Sequence, residues 1–266
     1  MKLSEIYKIA DGIAPKRLSD EYCRLYGAYD NSGVLVDTGD DIQGALFTLD
    51  LSNAAIARAK QLGANLIITH HPAIYGKIGH IYEDEPLGGK LVECIKHGIS
   101  VLSMHLNLDG AEGGIDQSLM DGVCQAAGGG SEKVSVMHTL SDGGYGRVYD
   151  VKETSLSCLA ENMKKVFNTE RILTYGQGNK AISRAASFCG SGVDEGAIAF
   201  AKKENADVII SSDFKHHLIT LALEEGLSII ILTHYASENF GFQNYYEKMC
   251  RQLRLPCVYH TDVELL

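Results

Sequence analysis

The chain has 266 residues, 45% of them hydrophobic and 22% charged, and carries a formal net charge of −10. This is the composition of an ordinary globular protein with room for one large core or two smaller ones. The acidic balance argues against a binder of duplex nucleic acid or of anionic membrane surfaces, since both depend on clustered Lys and Arg.

Residues 1–14 pattern as an amphipathic helix, with Leu3, Ile6, Ile9 and Ile13 on one side and no apolar core of a signal peptide. No apolar run approaches the ~20 residues of a membrane span. The seven cysteines (23, 94, 124, 158, 189, 250 and 257) include no Cys-x-x-Cys. That usage fits reduced thiols and a cytoplasmic setting.

Strand and helix signals then alternate. Gly44 to Asp50 reads as a strand, Ser52 as the cap of a helix through Leu62, and Gly63 as its end. Residues 65–69 read as a buried strand that Pro72 closes. A helix from about Gly88 to Lys96 and a strand at 99–103 follow. This βαβαβ run implies a mostly parallel sheet covered by helices. The second half repeats it: 57–68 aligns with 199–210 at six identities in twelve, and 98–101 with 226–229. Two matches in the same order point to an internal duplication. Gly128 to Ser131 is the linker candidate, and Asp142 to Gly146 reads as a loop before a new strand.

Three segments place metal-binding residue types just after a predicted strand. They are His70-His71, the run from His105 to Asp109, and the run from His234 to Glu238. Open α/β sheets bind ligands at the carboxyl ends of their strands. Adjacent side chains in extended chain point to opposite sides. His70 and His71 are therefore better placed to reach two ions than to chelate one. His234 and Glu238, at i,i+4, share one face of a helix. Three imidazoles and two carboxylates without a thiolate suit Fe, Mn, Zn or Co rather than a closed structural zinc site. Taken singly, each has a plainer reading: Asp109 as a cap or turn, His234 with Glu238 as a surface pair. Convergence at strand ends favours the metal reading. His105 reads equally as a residue orienting a ligand or as a structural histidine. Asp213, His216 and His217 form a further polar group after the repeated strand, and Cys189 to Gly192 reads as a tight turn.

In these residues the chain resembles the NIF-three-like dinuclear metal proteins, whose bacterial members are often labelled type 2 GTP cyclohydrolase I. The matching pieces are Asp30 to Val36, Ile68 to Pro72, His105 to Asp109, Gly146 to Val148, Cys189 to Gly192, Ser212 to His217 and Thr233 to Glu238. They span nearly the whole chain. The resemblance implies two interlinked, internally duplicated α/β lobes with mostly parallel sheets. The metal-binding lobe would be residues 1–129 plus 234–266, and the second lobe 130–233, without the domain that longer members insert. It further implies two divalent ions (Fe, Zn or Mn) on His70, His71, Asp109, His234 and Glu238. Glu238 would bridge them, with Asp109 on one ion and His234 on the other. A toroidal homohexamer is implied as well. The chain departs from the family pattern at Leu106, where Thr is usual, and at Ser211-Ser212, where Thr-Gly is common. Neither change removes a ligand.

The functional expectation is a metal-dependent hydrolase that uses a metal-bridging hydroxide on a nucleotide or other small molecule. His105, His216 and His217 are its candidate acid–base residues. The alternative is a non-enzymatic protein of metal storage or delivery, or a metal-responsive regulator.

Overall fold

The computed structural model describes residues 1–39 and 41–266. The first half contains α1 (Leu3–Ile13), α2 (Lys16–Tyr26), β1 (Gly33–Val36), β2 (Ala45–Thr48), α3 (Asn53–Leu62), β3 (Leu66–Thr69), α4 (Pro86–Lys96), β4 (Ser100–Ser103), α5 (Leu106–Gly110) and α6 (Ile115–Ala127). The second contains β5 (Gly130–Thr139), β6 (Gly144–Ser155), α7 (Leu156–Val166), β7 (Leu173–Tyr175), β8 (Ala181–Ser187), α8 (Glu195–Lys203), β9 (Val208–Ser211), α9 (His216–Glu224), β10 (Ser228–Ile231), α10 (His234–Cys250) and β11 (Cys257–Tyr259). None of the described helices is long and apolar enough to cross a membrane.

The chain forms two compact units. One comprises Met1–Ala111 with Phe242–Asp262, the other Glu112–Gly241 with Val263–Leu266. The first unit holds a five-stranded sheet in the order β1-β4-β3-β2-β11. Its four strands β4, β3, β2 and β11 are parallel, and β1 lies antiparallel on β4. β2, β3 and β4 are fully buried, with adjacent apolar residues facing both sides, as in a parallel sheet with both faces covered. Helix α3 starts at Ser52, whose hydroxyl accepts the Ala55 N–H at 3.0 Å, and ends at Gly63 in the left-handed region, as the sequence predicts.

The second unit holds a six-stranded sheet in the order β5-β6-β8-β9-β10-β7. Its centre, β8-β9-β10, is parallel; β5, β6 and β7 add antiparallel pairings. The run β2-α3-β3-α4-β4 of the first unit recurs here as β8-α8-β9-α9-β10. In both, the third strand carries an antiparallel edge strand, β1 in one and β7 in the other. The repeat seen in the sequence is thus a repeat of folded structure.

The divisions differ from the expected lobes. Gly128 is the left-handed cap of α6, and Gly130 opens β5, so the glycine stretch ends a helix rather than separating lobes. The first division lies instead at 111/112, because α6 packs on β6 and α7 of the second unit. The second lies inside α10, at 241/242. From there on, α10 belongs to the first unit's core, where Phe242 and Tyr245 pack on Phe47 with ring centroids 6.5 and 6.3 Å apart.

Candidate metal centre

In the first unit, β2, β3 and β4 end side by side. The parallel register pairs Thr48 with Thr69 and Thr69 with Ser103. The residues just beyond those ends are Asp50, His70, His71 and His105. His70 is fully buried, and its Nδ1 lies 2.8 Å from the Met104 carbonyl oxygen. A carbonyl only accepts, so Nδ1 carries the proton and Nε2 presents its lone pair. That Nε2 stands 3.5 Å from Asp109 Oδ1. His71 Nδ1 lies 2.8 Å from Asp50 Oδ1, which sets the same tautomer. His70, His105 and Asp109 each offer a ligand atom, all within 4.8 Å of one another.

His105 is held from behind. Its Nδ1 lies 2.8 Å from Asp30 Oδ1, and Asp30 accepts further bonds from the Ser19 and Ser32 hydroxyls. Burial alone would raise the pKa of Asp30, but the donors His105, Ser19 and Ser32 outweigh it and hold the carboxyl well below the usual range. For His105, burial favours the neutral form; the Asp30 bond and the charges of Asp109 and Asp30 outweigh it and raise the imidazole pKa.

This pair makes a pH prediction. A depressed Asp30 contributes stability above the unfolded carboxylate pKa of about 4 and loses it as pH falls. A raised His105 contributes stability below about pH 6.5 and loses it as pH rises through its folded pKa. The cost of Asp30→Asn is therefore expected to be greatest between those limits, about 1.5–3 kcal/mol. It should shrink on both sides, as read from urea midpoints across the pH range. A cost that does not vary with pH would contradict the charged pair.

In the second unit, His234 and Glu238 stand on the first two turns of α10, with His234 Nε2 3.1 Å from Glu238 Oε1. Asp213, just past β9, places Oδ2 2.5 Å from His234 Nδ1, so this imidazole also turns Nε2 outward. Glu238 is 3% exposed. The turn after β8 comes close to both. A Cβ on Gly190 would overlap Glu238 Oε1 and approach the His234 ring to 3.4 Å, and Gly190 has φ +58°. The turn is pinned there by several bonds. Ser211 and Ser212 donate their hydroxyls to the Gly190 carbonyl, the Gly190 N–H donates to Ser237 Oγ at 3.2 Å, and Tyr145 donates to the Cys189 carbonyl at 2.6 Å. Beneath it lies the buried pair Asp116 and Arg147. Asp116 also accepts the N–H of Gly146 at 3.0 Å and of Cys189 at 3.4 Å. His216 and His217 begin α9 and are exposed; His217 Nε2 lies 3.6 Å from Glu195 Oε1, an exposed pairing.

Of the sequence candidates, then, one unit brings together His70, His71, His105 and Asp109, and the other His234 and Glu238. The backing groups Asp50 and Met104 were not singled out from the sequence. The register would have found Asp50, which follows β2 by two residues just as His71 follows β3.

A family model described as DUF34/NIF3, NGG1p interacting factor 3, matches residues 1–262. The chain belongs to the DUF34/NIF3 family. A Clostridium perfringens relative named GTP cyclohydrolase 1 type 2 homolog is 33% identical over 243 residues, covering 90% of this chain and 87% of its own. The Staphylococcus aureus protein SA1388 superposes with a TM-score of 0.82 at 22% identity, over 98% of this chain and 96% of that one. Reduced HcgD from Methanocaldococcus jannaschii superposes at 0.78 and 27% identity, over 97% of each chain. The α/β fold with its paired sheets is thus that of DUF34/NIF3 proteins.

Proposed function

We propose that the protein binds two divalent metal ions through His70, His71, Asp109, His234 and Glu238 and acts as a hydrolase on a small molecule. The observation that carries this reading is the way the three histidines are set. Each donates Nδ1–H to a fixed acceptor (the Met104 carbonyl, Asp50 or Asp213) and so offers Nε2. That arrangement is the usual support for metal-ligating imidazole. The donor set of imidazole and carboxylate suits Fe, Mn or Zn. When bound, two such ions would supply Lewis acidity and lower the pKa of a water they share.

The chain's own residues do the rest. Within the first unit, the Phe242 ring packs on His70 at 6.0 Å and helps to fix that imidazole. Glu238 would hold metal through its buried carboxylate. The Gly190 turn leaves space against it that any larger side chain would fill. Asp30 aims His105 from behind, so that its other nitrogen is available to hold a proton beside the centre. The name carried by relatives points to a guanine nucleotide as the first substrate to try.

The test is elemental analysis of native protein and of a His71→Ala/Glu238→Ala variant, alongside a hydrolysis panel of nucleotides, phosphoesters and cyclic amides. About two ions per native chain, lost in the folded variant together with turnover, is the expected result. Native protein that takes up no Fe, Mn or Zn would refute the centre. Bound metal with no turnover and transfer to an acceptor would favour a delivery role instead.

A further inference from the structure

Two of the seven cysteines meet in the first unit, at the end of α10. Cys250 is the last residue of that helix and Cys257 the first of β11, and neither is fully buried. The Cys257 thiol bonds to that of Cys250, and so does the hydroxyl of Tyr246, one helical turn earlier. Tyr246 also donates to the Cys257 carbonyl at 3.3 Å, so one side chain spans both cysteines.

The turn between them is anchored at both ends. Leu253 is buried, and the N–H groups of Gln252 and Leu253 both donate to the Met249 carbonyl at 2.9 Å. Beyond it the Pro256 carbonyl accepts the Ala45 N–H at 2.9 Å, and Cys257 pairs with Ala45 in the sheet. The two sulfurs are thus held in contact by fixed backbone on either side. Disulfides form between cysteines whose side chains already converge in this way. The turn also carries the exposed Arg251 and Arg254, in a chain of net charge −10. Arg251 pairs with Glu247 at 3.4 Å, whereas Arg254 has no carboxylate partner among the described residues. Local positive charge eases thiolate formation and draws an anionic reagent.

We propose that Cys250 and Cys257 are a reversible thiol–disulfide site that exchanges with an anionic, low-molecular-weight disulfide of the glutathione type and so ties the end of α10 to β11. Cys257 holds its proton firmly, since burial and the adjacent Cys250 push its thiol up to about 12. Cys250 is therefore the sulfur that attacks first. Its thiolate displaces one thiolate from the incoming disulfide and leaves a mixed disulfide on Cys250. Cys257 Sγ then attacks Cys250 Sγ, and the second thiolate leaves. The two thiol protons pass to the two departing thiolates, and the two electrons reduce the incoming disulfide to two thiols. Excess free thiol runs the exchange backwards. A transient disulfide of this kind is compatible with a chain whose thiols are otherwise reduced. The proposal is independent of the metal reading.

The test equilibrates the native chain in mixtures of reduced and oxidised glutathione, traps free thiols with iodoacetamide and maps the tryptic peptides. Trypsin cuts after Arg251 and Arg254, so an internal disulfide is read as the Cys250 peptide linked to the Cys257 peptide. That linked product, without retained glutathione, is expected from the native chain. Cys257→Ser is expected to stop with glutathione on Cys250 and to keep its far-ultraviolet spectrum. The ratio of oxidised to reduced glutathione needed for half-formation should be lower by about tenfold or more in the folded chain than in chain unfolded in urea, because the fold holds the sulfurs together. Two alkylated thiols in excess oxidised glutathione would overturn the proposal. So would glutathione retained on either cysteine of the native chain, or equal ratios with and without urea.

Discussion

Replacing Arg147 with methionine is expected to lower the unfolding free energy by about 3–5 kcal/mol. Asp116 and Arg147 are both buried in the second unit, and they face each other directly. Removing the guanidinium leaves a carboxylate in a site that water does not reach, and the uncompensated charge dominates the cost. Against a typical total of about 5–15 kcal/mol, such a loss brings the protein close to unfolding at body temperature. The measurement is a urea titration followed by circular dichroism. A companion variant separates charge from packing. Asp116→Asn combined with Arg147→Met removes both charges while leaving an oxygen to accept an N–H from Gly146 or Cys189. It should recover most of the loss. A double variant as unstable as Arg147→Met alone would show that the cost comes from lost packing.

The second large effect is expected at Gly190. Its positive φ costs an alanine about 1–2 kcal/mol, and the new methyl group would overlap the Glu238 carboxylate and crowd His234. The fold should survive, because the turn is held by the Ser211, Ser212 and Tyr145 hydroxyls, none of which the change removes. Metal affinity should not survive at its native level. Displacing even a supporting group costs about 10–100-fold in affinity, and here a proposed ligand itself is pushed. Gly190→Ala is therefore expected to bind metal at least that much more weakly in a chelator competition, with an unchanged far-ultraviolet spectrum. Native affinity in this variant would remove Glu238 from the ligand set.

What could be read from the sequence follows from which interactions are local. The strand ends were legible because buried β3, β4 and β10 are apolar runs that stop abruptly at polar residues. The repeat was legible because α3-β3 and α8-β9 keep the same spacing of small and aliphatic residues. His234 and Glu238 were legible as a pair because a helix brings i and i+4 together. Contacts between distant segments were not legible. Asp30 reaches His105 across 75 positions, and Asp116 reaches Arg147 across 31. Gly128 to Ser131 misled because glycine serves equally as a linker, a helix cap and a strand entry, and only the packing of α6 decides among these. The boundary inside α10 has no sequence signature at all, since an unbroken helix carries the chain from one unit to the other.

That crossing sets an order of events during synthesis. The second unit is nearly continuous, from Glu112 to Gly241, whereas the first waits for Phe242–Asp262. β11, which pairs with β2, and the aromatic residues that pack on Phe47 are made only after the whole of Glu112–Gly241. Until then the nascent first unit has β2 as a bare sheet edge and Phe47 without its aromatic partners Phe242, Tyr245 and Tyr246. Met1–Ala111 is therefore expected to complete its packing only after Glu112–Gly241 has been made. A chain released before residue 242 is expected to be degraded rather than to persist as a half-protein.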